Sequence, residues 1–461
     1  MWCTSRLNVG SHTIIKIIFS IKRHMFIGLI NKGLKSTIGK NVVALYLLQM
    51  SYYILPLITV PYLVRVLGPE KFGLVSFGQS FVTLFTLFVG YGFDLSATRE
   101  ISLNRFANKT VSQIAGRVWV AKAFLCVLGL CMILLLIMIL PKIREVALLI
   151  IILYGIVIGN CLFPVWLFHG FERMKAISVI NISMRALSTA GIFIFILNPD
   201  DFLFYAGIIS FQWVSTGLVG MWFAINRLKI RLIIPSMREV MQCLSEGRTL
   251  FLSQIAQGIY SSGNSFILGL LTNYTVVGYY SAAEKIVLAL VGMIFPVTRA
   301  IYPRFIQMAA FSKDKVMLWG RRVLYIMGSV GVLIFAVLLI GAPLIVNILL
   351  GHEFDNSIDV LRILGILPLI IGITMSLNMQ FTLPFGKDRA YTIIHVLAGP
   401  INLLLAFLLV PVWHQIGMAI SLVITESVIC VFSFIYLWSM RLTPFNYRAH
   451  DKLYQEPISS H

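Results

Sequence analysis

The sequence predicts an all-α integral membrane protein, with about 12 transmembrane helices in two six-helix bundles around a central cavity. Three observations carry this expectation. The chain of 461 residues is 59% hydrophobic and only 12% charged, where a soluble domain carries roughly a quarter. Its apolar residues come in blocks, such as 127–140 and 145–162, and do not alternate. Helices, not the strands of a barrel, therefore satisfy the backbone in lipid. Finally, lysine and arginine concentrate in alternate breaks between the blocks, as membrane topology requires.

Taken in order, the spans fall at 42–64, 74–93, 118–140, 146–168, 176–197, 203–225, 249–271, 278–302, 323–350, 358–383, 390–410 and 415–438. Pro56 and Pro61 interrupt the first, Pro296 the eighth, Pro368 the tenth and Pro400 the eleventh. Each removes a backbone hydrogen bond and kinks its helix. The longer breaks are 94–117, 226–248 and 303–322. They divide the chain into a segment 1–40, a first bundle 41–225, a linker 226–248, a second bundle 249–438 and a tail 439–461.

With the N-terminus in the cytoplasm, cytoplasmic segments hold 28 of the 37 basic residues and the outer loops hold four: Arg65, Lys71, Lys142 and Arg144. An asymmetry this large places both termini inside. The net charge of +19 is thus a matter of topology and does not imply a nucleic-acid partner. Two readings stand for the first forty residues. Residues 12–30, with Lys16, Lys22 and Arg23, suit a basic amphipathic helix on the inner leaflet. Alternatively, they do little and Met25 is the start.

Shifted by 205 residues, the chain partly matches itself. Leu45, Leu47 and Gln49 fall on Leu250, Leu252 and Gln254; Gly73 and Ser76 fall on Gly278 and Ser281; Gln79 falls on Glu284; Arg99 falls on Arg304. Six spans is an even number, so the halves would be parallel repeats about an axis along the membrane normal.

Ionisable groups inside spans cost about 2.5–3.5 kcal/mol each on insertion scales and rarely face lipid. Five cations, Lys122, Arg185, Lys285, Arg299 and Arg362, outnumber the two acids Glu284 and Glu426. Such a balance suits an anion, and arginine's planar fork suits phosphate. Arg185 lies mid-span, far from either surface. Lys122 and Arg299 lie within about two turns of the inner surface, where they can also snorkel. Asp359 and Arg362 have the i, i+3 spacing of a local ion pair. Asp94, at the inner end of the second span, joins Glu284 and Glu426 as a candidate for coupling to H+ or Na+. The polar run 254–265 is too polar all round to face lipid; it suits either helix packing through small residues or a wet wall for sugar. No phosphate-binding lysine loop, HExxH motif, nucleophile elbow or cysteine pair with metal-ligand spacing occurs, so no enzyme activity and no cofactor are expected.

The stretch from Leu57 through Pro61, Arg65, Gly68, Pro69, Glu70 and Gly73 to Ser76 resembles the opening of Wzx-type O-antigen flippases. So do Tyr91 through Asp94 and Arg99 to Glu100, Pro164 through Trp166 to Gly170, and Gly278 through Ser281 to Lys285. These flippases form the polysaccharide-export branch of the multidrug/oligosaccharidyl-lipid/polysaccharide exporter superfamily. The resemblance covers residues 41 to about 438. It implies a carrier in a bacterial inner membrane that moves undecaprenyl-pyrophosphate-linked oligosaccharide from the cytoplasmic to the periplasmic leaflet by alternating access. It also implies a lipid-linked oligosaccharide and membrane lipid as partners, with a polysaccharide polymerase and a chain-length regulator as further ones. Arg185, Arg299, Lys285, Glu284 and Asp94 are the positions to which the family's use of charged span residues carries over. The alternative is an ion-coupled drug or metabolite antiporter of the same superfamily.

Overall fold

A computed structural model describes residues 37–443 and 445, and among them every regular element is helical. The first helix, α1 (Thr37–Gly90), has 54 residues. At 1.5 Å per residue a straight helix of that length would reach about 80 Å, more than twice the bilayer's hydrocarbon thickness. It breaks instead at Gly68, whose φ of 68° suits a residue without a Cβ, and Pro69 opens the second limb. Then follow α2 (Phe93–Asn104), α3 (Asn108–Ile139), α4 (Pro141–Glu145), α5 (Ala147–Leu153), α6 (Gly155–Leu162), α7 (Val165–Gly170), α8 (Met174–Phe195) and α9 (Phe202–Asn226). These complete the first half.

The second half begins with α10 (Met237–Ser262), so 237–248 of the expected linker form its opening turns. Ser236 caps α10 reciprocally with Glu239, in the pattern that satisfies two free amides at once. Helices α11 (Asn264–Leu271), α12 (Tyr274–Phe311), α13 (Lys313–Leu349), α14 (Ser357–Leu364), α15 (Leu367–Leu377) and α16 (Asp388–Ser439) follow. Asn402 and Ser421 of α16 lie within hydrogen-bond reach, 3.1 Å from Ser421 Oγ to the Asn402 carbonyl. On a straight helix they would be about 29 Å apart, so α16 folds back on itself near His414, whose φ is 47°.

Nine stretches among the described residues are long and apolar enough to cross a membrane, and the two longest can cross twice. The expected seventh span is not among them. Its polar run lowers its hydropathy, and the helix breaks at Gly263 between α10 and α11. The expected amphipathic segment before residue 37 and most of the tail after 439 lie outside the described residues.

The halves meet most extensively along α1 and α12. Phe77 and Phe81 of α1 pack on Phe266, with centroids at 5.3 and 4.7 Å, and Phe77 also meets Tyr274 edge-on at 5.5 Å. Just past the end of α1, Tyr91 stacks on Phe251 at 4.3 Å. One hydrophobic core therefore runs across the boundary between the halves.

Candidate functional site

The polar groups left inside the spans collect in two places. The first lies where α1 meets α11 and α12. Tyr280 is fully buried and its hydroxyl donates to Glu284 Oε1 at 2.9 Å, one turn along the same helix. Asn264, at the start of α11, abuts both residues but neither of its side-chain polar atoms completes a hydrogen bond. The hydroxyl of Ser76 is likewise buried without a partner. Lys285 turns the other way and sets its ammonium 4.5 Å from the ring centre of Phe72, a residue of the other half. Adjacent residues on a helix point about 100° apart, so Glu284 and Lys285 serve different neighbours.

The second place is the inner wall of the second half, where α10, α12 and both limbs of α16 converge. Tyr391 faces Gln257, Arg299 and Glu426, and its ring packs on His395 at 4.2 Å. Tyr260 faces Glu426 and Tyr391. Sequence reasoning picked out Arg299, Glu426 and the polar run, but missed Tyr391 and His395. The i, i+4 spacing of those two aromatic rings was the available signal. Arg185 is half-buried on α8. It lies about 100° around that helix from Met184, which lines an apolar groove between α8 and α9 with Leu187, Gly191, Phe195, Ile208 and Phe211.

Three other candidates sit elsewhere. Lys122 is only 2% exposed, and its ammonium donates to the carbonyl of Asn160 at 2.8 Å between α3 and α6, inside the first half. It does not join the other cations. Arg362 pairs with Asp359 at 3.1 Å across one turn of α14, with the side chains 41% and 62% exposed. Asp94 is exposed in the first turn of α2, where a carboxylate favours the helix N-terminus.

The end of the molecule carrying Arg65, Lys71 and Lys142 is tightly closed. A Cβ on Gly73 would strike the carbonyl of Tyr274 and the amide of Gly278, while a Cβ on Gly278 would strike the carbonyl of Pro69. The 205-residue shift turns one contact into the other: 69 becomes 274 and 73 becomes 278. Equivalent glycines thus face each other, as across the two-fold axis of an isologous interface. Around this point Lys142 donates to the carbonyls of Gly269, Leu270 and Thr272 at 3.0, 2.9 and 2.6 Å. Tyr274 donates back to the Lys142 carbonyl at 3.2 Å, and Arg65 donates to the carbonyl of Ile348. Lys71 rests over Phe202, 4.9 Å from its centre.

A polysaccharide biosynthesis protein family matches residues 38–309. A protein of Escherichia coli (strain K12) named "Putative O-antigen transporter" is 32% identical over 395 residues, covering 86% of this chain and 95% of the relative. A Shigella dysenteriae protein of the same name is 28% identical over 400 residues, covering 85% of this chain and 98% of the relative. The fold is similar to that of a MATE-family multidrug resistance transporter of the MOP superfamily, with a TM-score of 0.63 at 17% identity over 87% of this chain and 98% of the other. It is also similar to the lipid II flippase MurJ, with a TM-score of 0.66 at 10% identity over 88% of each chain.

Proposed function

The chain belongs to the polysaccharide biosynthesis protein family, in its Wzx-type flippase branch, and from that premise we propose that it moves a lipid-linked oligosaccharide across a bacterial inner membrane. The cargo we propose is undecaprenyl pyrophosphate carrying an O-antigen unit, moved from the cytoplasmic to the periplasmic leaflet with both termini of the chain in the cytoplasm. The observation that carries the reading is the 32% identity to the Escherichia coli protein named "Putative O-antigen transporter" over nearly its whole length. The span chemistry supports it. A pyrophosphate wants cations, and Arg185, Lys285 and Arg299 supply them inside the bilayer. A sugar presents hydroxyls and apolar ring faces. Gln257, Tyr260, Tyr391 and His395 offer amide and aromatic surfaces on one wall. The polyprenyl tail stays in lipid, where the apolar groove between α8 and α9 lies.

Coupling to H+ or Na+ through Glu284, Glu426 or Asp94 belongs to the same proposal. So does association with a polysaccharide polymerase and a chain-length regulator. The test is flipping of defined lipids in proteoliposomes. The oligosaccharide on undecaprenyl pyrophosphate should cross at least tenfold faster than in protein-free vesicles, and an imposed ion gradient should raise the rate further. Gradient-driven uptake of small organic solutes with no flipping would instead make the chain an antiporter of the same fold.

A further inference from the structure

We propose that Arg65 and Lys142 are positioning residues of the transport cycle: they latch the outer end shut by capping helix ends of the opposite half, and both must let go when that end opens. The proposal rests on the reading of the chain as an alternating-access carrier. Its evidence is the cross-half geometry.

The last carbonyls of a helix have no partner within it and carry partial negative charge. Helix α11 ends at Leu271 and α13 at Leu349, both at the closed end of the second half. Each end is met by a cation from the first half. An ammonium has three donor hydrogens, and Lys142 spends them on three carbonyls, those of Gly269, Leu270 and Thr272. Arg65 reaches the carbonyl of Ile348.

The two contacts join corresponding positions of the internal repeat, to within a residue, with donor and acceptor exchanged. Adding 205 takes 65 to 270, a residue that Lys142 binds, and takes 142 to 347, next to the residue that Arg65 binds. They flank the point where Gly73 and Gly278 meet. A rotation that parts those glycines therefore pulls both cations off together. The freed carbonyls at this rim pass to water, so the latch is reversible. A buried ion pair, which needs both charges desolvated, would hold the gate more stubbornly.

This also accounts for an anomaly of topology. Positive residues are disfavoured on the outer side, yet four occur there, and two of those four are the latch.

The test reads gate position without any substrate. Ser76 lies on α1 one turn beyond Phe72, is 5% exposed, and its hydroxyl makes no hydrogen bond, so Ser76→Cys is a mild reporter. A membrane-impermeant maleimide applied from the outer side should label Ser76→Cys slowly, measured against the same chain without it. Lys142→Met or Arg65→Met should each raise that rate about threefold to tenfold, as expected for losing one cation at a helix end. The double variant should raise it more than either single one, and Lys142→Arg should restore slow labelling. Unchanged labelling in single and double variants that reach the membrane in normal amount would overturn the latch. If one variant fails to fold, the other carries the same expectation alone. Flipping of the pyrophosphate-linked lipid is measured in parallel. Faster labelling with no flipping even by the unmodified chain would keep the latch and refute the cargo. Normal flipping with unchanged labelling would keep the cargo and refute the latch.

Discussion

Lys122 and Lys285 are both lysines inside apolar spans, and their surroundings give them different work. Lys122 is sealed between α3 and α6 against one carbonyl. Lys122→Met shortens the side chain by one atom and removes the charge, so flipping should stay within about twofold, with a loss near 1 kcal/mol for the unsatisfied carbonyl. Lys122→Ala leaves a hole and should cost about 2–4 kcal/mol by thermal unfolding in detergent. Lys285 sits over Phe72 beside the polar cluster, so Lys285→Met should lower flipping at normal abundance. In the same cluster Tyr280→Phe deletes only a hydroxyl, the one that donates to Glu284. The variant should lose about 1 kcal/mol of stability, and ion-gradient stimulation should weaken while basal flipping persists. Stimulation that survives Tyr280→Phe and Glu284→Gln alike would move the coupling group elsewhere.

Among the elements, the second limb of α1 and helix α12 have the tightest approach, because two glycines leave backbone against backbone. Gly73→Leu meets backbone at its Cβ, the carbonyl of Tyr274 and the amide of Gly278. It should cost about 1–3 kcal/mol of overpacking and favour the state in which these helices part. Outer-side labelling of a nearby cysteine would read that shift. The start of α10 behaves differently. Glu239 accepts hydrogen bonds from the Ser236 amide at 2.7 Å and from its hydroxyl at 2.8 Å. These bonds, the backbone one foremost, hold its carboxyl below the ordinary glutamate value. A lowered value in the folded state means the cap contributes above the ordinary range and is lost as pH falls through the lowered value. Protection of the first-turn amides of α10, corrected for the intrinsic pH dependence of exchange, should therefore fall on acidification, and Ser236→Ala, which removes the hydroxyl but keeps the backbone donor, should weaken that pH dependence only in part.

At the scale of the whole molecule, the charge asymmetry predicts sides. A fluorescent protein that matures only in the cytoplasm, fused after residue 461, should fluoresce; a dark fusion with an active periplasmic reporter would invert the molecule and place the latch inside. Much of this scale was legible in the sequence. Apolar blocks betray helices because a backbone in lipid must satisfy its own hydrogen bonds and these blocks lack the alternation of a barrel. The family resemblance and the repeat were legible in the same way, from residues such as Pro61, Arg65, Gly73 and Gly278.

What the linear sequence left open was decided by contact. It showed that Gly73 and Gly278 occupy equivalent positions, but not that they touch; that took two halves folded against each other. Arg65 and Lys142 read as loop charges because their partners, helix-end carbonyls, belong to residues of any kind and leave no mark on composition. Lys122 read as a possible cavity group because periodicity does not say which face of a mostly apolar helix is inward. The sequence by itself determined that this chain lives in a membrane and which family it joins. Only the tertiary structure decided which of its charges tie one helix to another, because that depends on distances between residues far apart along the chain.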